Sequence, residues 1–173
     1  MKRIKIYDMV ITALFSALIA VFSQLSIPSP FGVPITLQTF IVALTGFVLG
    51  KYKGSISVLV YIAVGAVGVP VFTGFQGGVT ALFGMTGGFI LGFIPLVFFC
   101  GIKTNNTGAE HICLVLGVSI CHLCGIFWFS FYSESLASAF FASSAPFFAK
   151  DILSIVAARF IAKKIKVITQ KFN

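Results

Sequence analysis

Residues 65–92 read GAVGVPVFTGFQGGVTALFGMTGGFILG and hold nine of the chain's 17 glycines, with apolar helix-like runs on both sides. A lipid-facing backbone amide without a partner costs several kcal/mol in hydrocarbon. A glycine-rich irregular segment between apolar helices is therefore packed inside protein or lines a cavity. One reading is a binding loop whose bare backbone approaches a ligand closely. The other is an ordinary helix–helix turn with packing glycines. Pattern alone leaves both open.

The rest of the chain points to a membrane. Its 173 residues are 58% hydrophobic and 9% charged, with a mean hydropathy of +1.09. Soluble domains carry about 25% charged residues, and a core of this size cannot hide so much apolar surface. The opening MKRIKIYD and the apolar run behind it resemble a signal peptide. The run is too long for one, however, and no small-residue cleavage site clearly follows, so it reads as a retained first helix. The net charge of +8 raises the question of nucleic acid. The basic residues sit at the ends of apolar runs and form no continuous face, which argues against that partner. The four cysteines, Cys100, Cys113, Cys121 and Cys124, lie in or beside apolar segments and imply no disulfide framework.

The sequence thus predicts an all-α integral membrane protein in a single domain. Six spans are expected, at about 8–25, 35–49, 54–69, 79–101, 111–132 and 146–165. Pro28 and Pro30 end the first, Gly50-Lys51 the second and Pro70 the third. With six spans, Lys2, Arg3, Lys5, Lys51, Lys53, Lys103, Lys163, Lys164, Lys166 and Lys171 fall on one side, 10 of the 12 basic residues. The excess of positive charge places both termini in the cytoplasm. The opposite connections, 28–34, 70–78 and 133–145, are nearly free of charge and suited to folding over a pocket.

Small residues four apart let membrane helices approach closely. Gly84, Gly88 and Gly92 form one such stripe, and Ser154, Ala158 and Ala162 another; both read as internal packing. Ala13 and Ala17 form a third, on a helix whose other faces are bulky, and that face is a candidate for meeting another subunit.

Carboxylates are scarce: Asp8, Glu110, Glu134 and Asp151. Asp8 and Glu110 read as solvated helix caps. Asp151 lies one turn inside the last span, where an ionisable group needs a partner or a purpose; Lys150 is the candidate partner. Gln76 offers an amide with donor and acceptor, and Thr86 a hydroxyl beside Gly87-Gly88. Phe72 and Phe75 bracket the glycine loop. Cys121-His122-Leu123-Cys124 invites a metal reading but lacks the second knuckle a structural zinc site usually shows. No phosphate loop and no serine–histidine motif is visible, so no catalytic residue, metal or cofactor is expected. Transport would draw its energy from a partner or a gradient.

Five segments together carry a resemblance: PFGVPITLQTF at 30–40, LGKYKG at 49–54, GVPVFTGFQGG at 68–78, FGMTGGFILGF at 83–93 and PFFAKDIL at 146–153. Over nearly its whole length the chain resembles the BioY family, biotin-specific substrate-binding membrane subunits (S components) of energy-coupling-factor (ECF) transporters. The resemblance implies six helices, cytoplasmic termini and a ligand site near the outer face. It implies ligand contacts from Gly74, Gln76, Gly77 and Gly78, from Thr86, Gly87 and Gly88, and from Asp151. Val71, Phe72 and Phe75 would meet the apolar parts of biotin, and the Ala13–Ala17 face the transmembrane coupling subunit, itself served by two ATP-binding subunits. The ureido ring's N–H donors would suit Asp151, and the tail carboxylate loop amides, Thr86 or Lys150. Two departures stand out. Met85 occupies the place of a proline common in the family, and Ser154 that of a lysine.

Three other functions are weighed. An S component for thiamin or riboflavin is the nearest. A membrane-embedded enzyme using Asp151, His122 or the cysteines lacks a second positioned group. A small channel lacks rings of charge or a polar helix stripe.

Overall fold

Gly50 converts one long helical element into a hairpin. In this computed structural model, which describes residues 6–29, 33–104 and 106–171 with side chains to Ile165, α2 spans Gln38–Ala66. Gly50 within it takes φ 79° and ψ 171°, a conformation that glycine tolerates far better than other residues. The two arms, 38–49 and 51–66, fold back on each other. Gln38 Nε2 donates to Tyr61 Oη at 3.0 Å, whereas 23 residues of straight helix would separate these positions by ~34 Å. A Cβ on Gly54 would sit 3.4 Å from Gly46 Cα, so the arms meet backbone to backbone.

The other elements assemble around this hairpin. Helix α1 spans Ile6–Gln24 and packs on α2. The strands β1 (Ser26–Ile27) and β2 (Ile35–Thr36) then pair antiparallel, Ser26 opposite Thr36. After α2 come the one-turn α3 (Val79–Leu82), α4 (Gly87–Cys100), α5 (Thr107–Phe129), α6 (Leu136–Ser143) and α7 (Ala145–Lys171). Asn106 caps α5, its side-chain oxygen accepting from the amides of Gly108 at 2.8 Å and Ala109 at 3.3 Å. The core runs through Ile19, Val42, Val58, Leu96, Val97 and Ala158.

Ile6–Gln24, Gln38–Ala66 and Thr107–Tyr132 are long and apolar enough to cross a membrane, and Gly87–Cys100 is a shorter apolar helix. The small-residue stripes pack internally in part: Gly84 lies in the turn before α4, where a Cβ would meet Thr80 and Ala81, and Ser154 is half-buried. Gly88 faces Trp128 and Cys124, and Gly92 faces Cys121, so α4 lies directly on α5. Ala158 and Ala162 are buried in the core, while Ala13 and Ala17 remain exposed.

Several boundaries differ from the expected ones. The span expected to begin at 35 begins at Gln38, because 35–36 is strand paired with 26–27. The expected helix 79–101 is broken at 83–86. Side chains of α5 and of the 3-10 turn Ser130–Tyr132 after it compensate the break: Trp128 Nε1 donates to the Gly84 carbonyl at 3.0 Å and Tyr132 Oη to that of Phe83. Irregular backbone between apolar helices persists because such partners satisfy it. The stretch 133–145, expected as a loop, contains α6, started by a reciprocal cap between Ser135 and Ser138. Asp8 and Glu110, expected as solvated caps, hold ion pairs between helices, with Lys53 and Arg159, each at 2.5 Å. Of the basic residues used to orient the chain, Lys2, Arg3 and Lys5 lie outside the described residues, as do the side chains of Lys166 and Lys171.

Candidate functional site

Asp151 sits in the first turns of α7, with 7% of its surface exposed. Each of its oxygens has a different neighbour. Oδ2 lies 3.1 Å from His122 Nε2, on α5. Oδ1 lies 2.5 Å from the ammonium of Lys150, and a carboxylate oxygen so paired still has a second lone pair. Consecutive helical residues point apart, yet the long lysine stem brings its charge back to its neighbour. From there Lys150 Nζ donates to the Thr36 carbonyl of β2 at 3.0 Å.

A cavity of ≈ 50 Å³ opens beside this group. Val33, Pro34 and Thr36 line it from the strand segment, Gln38 and Thr39 from the start of α2, and Thr73 from the glycine loop. Thr86, Phe89, Ile90 and Phe93 close it from α4 and the turn before it. Cys121, Ser143, Phe147, Lys150 and Asp151 complete the wall. The volume admits a few waters; a bicyclic ligand needs the wall to move. Gln38 joins the movable parts, donating to Tyr61 while its Oε1 accepts from Thr36 Oγ1 at 3.3 Å and Thr73 Oγ1 at 3.2 Å. A carboxylate, an ammonium, an amide and four threonines set among aromatic rings give the cavity both polar and apolar walls, the composition of a small-molecule site.

Of the residues expected at the site, Thr86, Lys150 and Asp151 come together around this cavity. The glycine loop is arranged differently. Phe72 is buried edge-on against Tyr61, ring centroids 5.5 Å apart. Its backbone exchanges hydrogen bonds with Gln76, at 2.9 and 3.2 Å, closing a tight reversal. Gly74, Phe75 and Gln76 therefore sit exposed on the outside of the loop, and Thr73 alone reaches the cavity from it. The end of α1 pins this reversal: Ser23 Oγ donates to the Val71 carbonyl at 2.5 Å, and Gln24 binds the Phe72 carbonyl and the Phe75 amide. Gly77 abuts the Val69 carbonyl, and Gly78 caps α3. Gly87 and Gly88 pack on Leu82 and Trp128, behind the wall rather than in it. Val71 lines a separate apolar groove with Ala13 and Ala17.

His122, Gln38, Thr39, Phe89 and Phe147 belong to the site without having been singled out for it. The signal for His122 was available, since a histidine inside an apolar span needs a partner as much as an aspartate does. Among the described residues no cluster of three or more histidine, cysteine or carboxylate side chains is placed to hold a metal ion.

The chain is similar to known proteins along its whole length. The model of the BioY family matches residues 1–171. A biotin transporter of Thermotoga maritima is 38% identical over 88% of this chain and 92% of its own. A probable biotin transporter of Pyrococcus horikoshii is 35% identical over 94% of this chain and 98% of its own. Among solved structures, the S-component for biotin from an ECF-type ABC transporter superposes with a TM-score of 0.83. That match covers 96% of this chain and 94% of the other, at 28% identity.

Proposed function

The chain belongs to the BioY family, and from that premise we propose that it is the biotin-binding membrane component of an ECF-type transporter. Its relatives carry transporter names rather than enzyme names. The observation that carries the reading is the buried Asp151, paired with Lys150 through Oδ1, beside a cavity with aromatic walls. A cyclic urea supplies an N–H donor for the second lone pair of this oxygen, and charge assistance makes such a bond one of the stronger kinds. The ring carbonyl would take a donor from the threonines of the wall. The thiophane ring and alkyl arm suit Phe89, Phe93 and Phe147. Lys150, at the β2 edge of the cavity, suits the tail carboxylate.

On this proposal the six helical rods cross the membrane, with α2 contributing two. Both termini are cytoplasmic, at the end that carries Lys51, Lys53 and Lys103, and the cavity faces outward. The exposed Ala13–Ala17 face meets a coupling subunit, and two ATP-binding subunits drive release. The chain then captures biotin and works in the cell membrane without catalysing a reaction of its own. The glycine loop, held by Ser23 and Gln24, closes over the occupied site.

Calorimetry of the detergent-purified chain against biotin, thiamin and riboflavin tests this. Saturable binding of biotin alone is expected. Binding of another vitamin in its place would overturn the substrate, and no binding of any would overturn the receptor reading.

A further inference from the structure

Behind Asp151 lies a second chain of contacts for which ligand binding has no direct use. Ser144, 1% exposed, stands at the junction of α6 and α7. Its Oγ lies 2.6 Å from His122 Nδ1, and the other ring nitrogen faces Asp151 Oδ2. His122 itself is 4% exposed. Phe89 and Phe148 meet its ring nearly edge-on, with centroids 5.9 and 5.1 Å away, so the imidazole is held from both sides.

Only one placement of protons satisfies all three groups with a neutral ring. Asp151, with the Lys150 ammonium beside it, is a carboxylate and can only accept. His122 Nε2 must then carry the proton and donate to Oδ2. Its Nδ1 is left as a lone pair, which the Ser144 hydroxyl fills by donating. The opposite tautomer would turn a lone pair onto the carboxylate oxygen. A ring nitrogen's role is set by what the other nitrogen binds, so Ser144 fixes the donor that Asp151 receives.

We propose that His122 and Ser144 are positioning residues that occupy Oδ2 of Asp151 and so leave Oδ1, beside the Lys150 ammonium, to receive a single N–H group of the ligand. Neither touches the ligand. Their effect is on selectivity, because one fixed acceptor discriminates between the two ring nitrogens of a cyclic urea, whereas a freely turning carboxylate would not. The inference rests on the biotin reading above for its ligand, but its proton arrangement stands independently.

Two measurements test it. The first is solid-state nitrogen NMR of histidine-labelled protein in lipid, with His111→Gln to assign the signals. It should show His122 with the proton on Nε2, and a proton on Nδ1 would overturn the proposal. The second compares biotin with its two mono-N-methyl derivatives by calorimetry. The unsubstituted protein should disfavour one isomer over the other by tenfold or more. In Ser144→Ala and His122→Leu that ratio should fall below threefold, and in His122→Gln, whose amide replaces the Nε2 donor, it should recover. Equal weakening of both isomers, leaving the ratio unchanged, would mean that the pair serves packing only and would overturn the proposal. If His122→Leu does not fold, Ser144→Ala and the NMR still decide. Absence of biotin binding by the unsubstituted protein would remove the functional reading, while the histidine tautomer would still be read.

Discussion

Lys53 and Asp8 pair at 2.5 Å near one end of the bundle, and Lys150 and Asp151 pair at 2.5 Å near the other. Their surroundings differ. The first pair joins two helices and is 44% and 28% exposed; the second lies within one helix, and its carboxylate is 9% exposed. Arg159 and Glu110, also 2.5 Å apart, resemble the first pair. Exposed pairs contribute about 0–1 kcal/mol, because water screens them and the long side chains lose entropy. Breaking a buried pair from one side costs about 3–5 kcal/mol, because the remaining charge is stranded. Distance is thus a poor guide to what a charge pair does. The exposed pairs fasten helices, whereas the buried one keeps a charge where apolar packing would otherwise forbid it.

Substitutions at both ends put this contrast to the test. Gly87→Ala at the cavity end should have the largest effect. Its Cβ would lie 1.8 Å from the Leu82 carbonyl oxygen and 3.1 Å from Trp128 Nε1, in the turn that closes the cavity wall. A loss of about 3 kcal/mol is expected in thermal unfolding in detergent, and an unchanged midpoint would mean the turn is not tightly packed. Asp151→Asn keeps the shape and removes the charge. Biotin affinity measured by calorimetry should fall more than tenfold if the charge-assisted contact contributes about 1.5–3 kcal/mol. Unchanged affinity would end that assignment. Glu110→Gln probes a partly exposed pair between helices: stability should shift by about 1 kcal/mol, less than the about 3–5 kcal/mol of a buried pair, and biotin affinity should hold. A shift as large as that from Asp151→Asn would erase the contrast. Gln76→Ala should do least, altering affinity by less than about twofold (about 0.4 kcal/mol). A larger loss would show that the loop turns its exposed face inward over the ligand.

Much of this architecture was legible in the sequence. The long apolar runs marked the rods, and Gly50 beside Lys51 marked the tip of the hairpin. Asp151 stood out because a carboxylate deep in an apolar segment has few innocent explanations. Other features gave no such signal. Phe83 and Met85 keep the hydropathy high across 83–86, so the break there depends on Trp128 and Tyr132, more than 40 residues away. Gln38 and Thr39 look like an unremarkable helix start and acquire meaning only when the hairpin folds Tyr61 back onto them. The glycine loop left two readings open. Its density of glycine fits a binding loop and a plain turn alike, and in the structure Gly74 at φ 72° and Phe75 at φ 58° reverse the chain and bury Phe72. Ser135 and Ser138 did hold a readable helix start for α6, hidden in a stretch otherwise taken for connection.

The reach of Lys150 to the Thr36 carbonyl has a mechanical consequence. The strand segment roofs a space of ≈ 50 Å³, so any guest of vitamin size has to lift it. Lifting it breaks the Lys150–Thr36 contact and leaves the ammonium held by Asp151 alone. On the biotin proposal, admission and charge rearrangement would be coupled: a guest that moves the strand takes away one of the two partners of Lys150, and an anionic tail could replace it.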